Sequence, residues 1–161
     1  MSPRTAATPR AASRSSRGAA IPQTLLVAAG ELGGLSAARV AGAIGRGLRA
    51  GGRPEPDLCP IATHCAEEVP EVLSTLGFDA RMLRARAVIV ADAHLQERTL
   101  AGSVTFEIAT RARQRGVPAY AVTAANDLNA FDARILDLQL IVQANSVRAL
   151  VAAGRELAAV A

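Results

Sequence analysis

The sequence predicts a single α/β domain with a Rossmann-like, doubly wound sheet of about five mostly parallel strands. Three observations carry that expectation. Short apolar runs built from Val, Ile, Leu and Ala alternate with segments of helical periodicity. The chain has 161 residues, half of them apolar, a length and composition that suit one domain with a sizeable core. Its aromatic residues are limited to Phe78, Phe106, Phe131 and Tyr120, so the core must be aliphatic, as in parallel sheets covered by helices.

The elements follow in order. Residues 1–22 form a Ser-, Ala-, Pro- and Arg-rich tail expected to be disordered, and residues 23–161 form the domain. Gln23 to Ala29 reads as a buried strand, with Gly30 to Gly34 as a loop. Ser36 is placed to N-cap a helix running to about Ala50, where Val40, Ile44 and Leu48 recur on one face. Gly51-Gly52 closes that helix. Asp57 to Ala62 is a second strand, and Pro60 confines it to a sheet edge. Val69 to Leu76 is a helix with Pro70 in its first turn. Ala87 to Ala91 is the third strand, and Asp92 to Arg98 a loop. A helix from Thr99 to Arg115 is closed by Gly116. Pro118 to Thr123 and Leu138 to Gln143 are the last two strands. A short helix starting near Asp127 lies between them, and a final helix begins near Ser146.

Charge excludes some functions. All 18 basic residues are Arg, which closes any chemistry needing a lysine amine. Arg4, Arg10, Arg14 and Arg17 lie in the tail, leaving 14 Arg against 14 Asp plus Glu in the rest. A neutral body with few aromatics argues against nucleic-acid binding. No run is long enough for a membrane span. The two cysteines, Cys59 and Cys65, give neither a disulfide framework nor a zinc ribbon, so a cytoplasmic setting is expected.

Two regions carry candidate chemistry. Gly30-Glu31-Leu32-Gly33-Gly34 is a glycine-bearing strand-to-helix turn, a geometry that can cradle an anion on backbone N–H groups. It is neither G-x-G-x-x-G nor a Walker A loop. His64, Cys65, Asp92 and His94 fall at neighbouring strand ends, and their donor types suit zinc if the loops converge. Otherwise His64 and His94 are exposed loop residues and Cys65 is a small buried side chain.

Asp92-Ala93-His94-Leu95-Gln96-Glu97-Arg98-Thr99-Leu100-Ala101-Gly102-Ser103, after Ile89-Val90-Ala91, resembles the I-T-G-E-G-R-L-D-x-Q-T-L-x-G-K segment of the glycerate kinase family. Leu95, Thr99, Leu100 and Gly102 match; Asp92 replaces Glu, His94 replaces Arg, Gln96 replaces Asp and Ser103 replaces Lys. Gly34-Leu35-Ser36-Ala37 and Gly47-Leu48-Arg49 are similar to the family's N-terminal G-S-L-S-A and G-L-R. Pro60 and Ala62 match its P-x-A-D-G-G-E-G-T, in which Thr63, His64, Cys65 and Ala66 replace the polar and glycine positions. The resemblance covers about residues 24–77 and 83–160. The family's inserted second domain is absent, because Val69 to Arg86 joins the two halves directly.

The resemblance implies ATP- and Mg²⁺-dependent phosphorylation of glycerate. Asp92 would then be the catalytic, metal-side carboxylate. Gly33, Gly34, Ser36, Thr99 and Gly102 would support the nucleotide. The lost basic positions imply that this activity is lost or impaired, since phosphoryl transfer depends on positive charge over the transferred group. The alternatives are a non-catalytic interaction domain, forming a homodimer or binding a partner chain where the second domain is missing, and a small zinc-binding module using His64, Cys65 and His94.

Overall fold

Five apolar runs pair edge to edge, and every pairing is parallel. The computed structural model describes residues 24–63, 65–97 and 101–161. The strands are β1 (Leu25–Ala29), β2 (Asp57–Pro60), β3 (Ala87–Leu95), β4 (Ala119–Asn126) and β5 (Leu138–Gln143), in the spatial order β2-β1-β3-β4-β5. The helices are α1 (Ala37–Ala50), α2 (Val69–Thr75), α3 (Phe78–Leu83), α4 (Val104–Arg115), α5 (Ala130–Ile135) and α6 (Val147–Val160). A single turn of 3₁₀ helix, Ala66–Glu68, precedes α2.

Strand alternation divides the core into two layers. Leu25, Val27, Ala29, Ile89 and Ala91 meet Val40, Ile44 and Leu48 of α1 and Leu150 and Leu157 of α6. Leu26, Ala28, Val88 and Val90 meet Leu73 of α2, Phe78 and Met82 of α3 and Ile108 of α4. Helices on both faces make the sheet doubly wound, as expected. The strand order reverses at β1 and β3, so the connections after them leave in opposite directions. That divergence opens a crevice at the carboxyl ends of the strands.

The α1–α6 contact is unusually close because small residues face each other. A Cβ on Gly47 would lie 2.2 Å from the Val151 carbonyl oxygen, and one on Gly154 would lie 2.3 Å from the Ile44 carbonyl oxygen. The Gly47-Leu48-Arg49 run thus has a local physical explanation. Gly47 lets the helices touch, Leu48 is fully buried, and Arg49 pairs with Glu55 at 2.7 Å. Arg53 donates to the carbonyls of Ala158 and Ala161, holding the last turn of α6 against the domain.

At the β2 edge, Arg81 forms a two-pronged ion pair with Asp57 (2.9 and 2.5 Å) and also donates to the Leu58 carbonyl. This pair holds the Asp57 carboxyl below its usual range, the hydrogen bond from Arg81 outweighing the opposing effect of burial. Pro60 ends the strand, in agreement with its expected edge position.

Several boundaries differ from expectation. β3 runs on to Leu95, so Asp92 and His94 lie in a strand rather than a loop; pairing with β4 continues to Leu95 opposite Asn126, and buried Leu95 anchors it. α4 starts at Val104, capped by the Ser103 hydroxyl, which accepts from the Phe106 N–H at 3.0 Å. The helix expected from Thr99 to Arg115 is interrupted by a turn at 101–103, and Thr99 itself lies outside the described residues, as do His64 and the 1–22 tail. Asn129, not Asp127, caps α5, accepting from the Phe131 and Asp132 N–H groups. α3 was not expected; Phe78 and Met82, one turn apart, bury its apolar face. α2 and α3 occupy the span between β2 and β3. Among the described residues no helix is long and apolar enough to cross a membrane.

Candidate functional site

A cleft of about 460 Å³ occupies the β1/β3 switch point. Four short segments wall it, each delivered by the carboxyl end of a strand or the start of a helix. They are Gly30 to Gly34 after β1, Thr63 to Val69 after β2 (Thr63, Cys65, Ala66 and Val69), Asp92 and Ala93 of β3, and Gly102 to Val104 at the head of α4.

The glycine loop is a closed turn. Leu32 and Leu35 exchange N–H···O=C bonds of 3.1 and 2.9 Å across Gly33-Gly34. Those two glycines have φ of 57° and 76°, the pair of left-handed residues that a type I′ turn requires. Leu32 is buried beneath it, and the Gly30 N–H donates to the Ala91 carbonyl at 2.9 Å, tying the loop to β3. Hairpin geometry therefore accounts for Gly33 and Gly34. Ser36 sits at the N-cap of α1 with extended backbone, and its side chain makes no capping bond.

Asp92 is half-buried at the cleft floor. The hydroxyl of Thr105, fully buried in the first turn of α4, donates to its Oδ2 at 2.9 Å. Sequence reasoning missed Thr105, because a threonine inside an amphipathic helix carries no signal of its partner. Gly102 has φ 83°, and a Cβ there would come within 3.1 Å of the Ala66 Cβ, so it brings the head of α4 close to the 3₁₀ turn. Thr63 organises the opposite wall, donating to Glu68 Oε2 at 2.9 Å while accepting from the Cys65 N–H at 3.2 Å.

The structure thus brings Asp92, Cys65, Gly33, Gly34 and Gly102 to one cleft. It places His94 elsewhere. Its Nε2 is 2.5 Å from Oδ2 of Asp127, beyond the end of β4, and His94 does not line the cleft. Among the described residues no group of three or more His, Cys, Asp or Glu side chains is placed to hold a metal ion. Cys65 is exposed, whereas Cys59 is buried in β2, where desolvation pushes its thiol pKa up.

The charge of the lining decides what it can do chemically. Its described members carry two carboxylates, Glu31 and Asp92, together with hydroxyls and one thiol, and no basic side chain. Asp92 and the hydroxyls suit a hydrated cation or a hydroxyl-bearing ligand.

Comparison with known proteins adds a family. A model described as the glycerate kinase family matches residues 41–158, from within α1 to the last turn of α6. No curated protein matches the chain. Among solved structures, the chain is similar to the flavodiiron protein from Giardia intestinalis, at 17% identity over 84% of this chain and 35% of that one, with a TM-score of 0.45. It is also similar to a protein described as pilus assembly-related from Burkholderia pseudomallei, at 20% identity over 86% and 92%, TM-score 0.48. A third is the flavodoxin-like domain of a Synechococcus protein, at 17% identity over 84% and 96%, TM-score 0.44. The chain spans 35% of the length of the Giardia protein.

Proposed function

The chain belongs to the glycerate kinase family, and from that premise we propose that it is a member in which ATP-dependent phosphorylation of glycerate is lost, leaving a non-catalytic interaction domain. The observation that carries this reading is the lining of the switch-point cleft. Phosphoryl transfer proceeds by positioning and by positive charge over the transferred group. The described lining supplies carboxylates and no cation.

Mg²⁺ could supply part of that charge, since it binds through one or two carboxylates with water and substrate phosphates completing the shell. Asp92, oriented by Thr105, is a reasonable single ligand for hydrated Mg²⁺. The described residues offer nothing to clamp the γ-phosphate beside it. Nor does the span between β2 and β3 cover the cleft, because α2 and α3 pack onto the sheet instead. A cleft walled only by strand ends and helix starts does not exclude water or align an acceptor hydroxyl.

The test is a thermal-shift titration with millimolar Mg·ATP, with and without glycerate. A ligand at a hundred times its Kd stabilises the folded state by about 2.7 kcal/mol, roughly 5–10 °C for a domain of this size. The proposal predicts no shift. A shift abolished by Asp92→Asn would instead support a retained kinase site.

A further inference from the structure

We propose that the groove where α1 meets the first residue of α6 is an oxyanion site, binding inorganic phosphate or a small phosphate monoester between Arg39 and Arg46. The groove has a volume of about 300 Å³ and is lined by Ala38, Arg39, Gly42, Arg46 and Val147. It shares no residue with the switch-point cleft, so the site does not depend on whether the cleft is catalytic.

The charge of this groove is uncompensated. α1 carries Arg39, Arg46 and Arg49 and no acidic residue. Arg49 is neutralised by Glu55, as Arg81 is by Asp57 and Arg111 by Glu107. Arg39 and Arg46 have no hydrogen-bond or ion-pair partner among the described residues, and no carboxylate lines the groove. The two arginines stand about 10 Å apart along the helix, with Gly42 between them on the same face. A Cβ on Gly42 would meet only the Arg46 Nη1, 3.8 Å away, so this guanidinium lies back over bare backbone in the direction of Arg39. Two like charges converging on one concavity repel each other, and an anion between them turns that repulsion into two attractions. The geometry also selects the anion. Each guanidinium presents a planar fork that engages two oxygens. A carboxylate satisfies one such fork, whereas a phosphate group has at least three strong acceptor oxygens and can engage both.

The test is an NMR titration of the isotope-labelled full chain with inorganic phosphate at fixed ionic strength, which holds general screening constant. The expected result is saturable binding, with the largest shifts at residues 38–46 and at Val147. Arg39→Gln and Arg46→Gln each remove a charge-assisted pair and weaken binding roughly ten-fold or more. Gly42→Glu fills the groove with a carboxylate from the chain itself and abolishes phosphate binding. That variant is expected to fold at least as well as wild type, because it replaces a glycine inside a helix and places Glu one turn before Arg46. Shifts that grow in proportion to phosphate without saturating would overturn the proposal. So would saturable binding that survives Arg39→Gln and Gly42→Glu, or binding to anionic lipid vesicles without binding to free phosphate.

Discussion

Gly154→Ala tests the close packing of α1 against α6. A methyl at this position would lie 2.3 Å from the Ile44 carbonyl oxygen and 2.9 Å from the Gly47 Cα. Both are backbone atoms of α1, so neither can rotate away. Relieving the contact requires α1 and α6 to separate by about 1 Å along a seam in the core, and overpacking of this kind costs about 1–3 kcal/mol and occasionally more. Alanine returns up to about 1 kcal/mol of helix propensity. The net expectation is a loss of about 1–2 kcal/mol, or roughly 2–8 °C in Tm for a domain of this size. Gly42→Ala is the control within α1. Its Cβ would meet only the Arg46 Nη1 at 3.8 Å, the movable end of a long side chain. That variant should gain about 0.5–1 kcal/mol. Urea denaturation of the three proteins reads both signs. Equal stabilisation by Gly154→Ala and Gly42→Ala would show that the helices are not in backbone contact.

Three other outcomes follow from particular contacts. The Asp57 pKa is lowered in the folded state, so its stabilisation is present above the unfolded carboxylate range near pH 4 and is lost as pH falls through the folded value. Asp57→Asn should flatten that part of the stability–pH curve and leave it unchanged in slope above pH 6; an unchanged acid limb would remove the ion pair from the account. Thiol titration should label Cys65 in the folded protein and Cys59 only on unfolding, because Cys59 is buried and its thiol is held protonated; rapid labelling of both would contradict the β2 packing. In a double-mutant cycle, Asp92→Asn and Thr105→Val should couple by about 0.5–3 kcal/mol, and simple additivity would mean that Thr105 does not orient Asp92.

Much of the fold was legible because its physics is local. Leu25 to Ala29 and Ala87 to Ala91 are short continuous apolar runs, as a strand covered on both faces requires. Val40, Ile44 and Leu48 repeat at the helical period and are fully buried. The misses arise where distant contacts decide. Asp92 and His94 read as loop residues because they are polar, but pairing with β4 keeps them in a strand. The cap of α4 is also non-obvious: Ser103 makes the capping bond to the Phe106 N–H. Of the candidate site, the turn at Gly33-Gly34 and the position of Asp92 at a strand end could be read from spacing. The grip of Thr105 on Asp92 could not be, nor could the pairing of His94 with Asp127. Both join residues from separate elements.

Glycerate-dependent release of ADP from Mg·ATP by the purified full chain, measured beside Asp92→Asn, tests the central claim most directly. The account predicts that wild type and variant are indistinguishable from the protein-free background. Turnover that requires Mg²⁺ and glycerate and disappears in Asp92→Asn would contradict it.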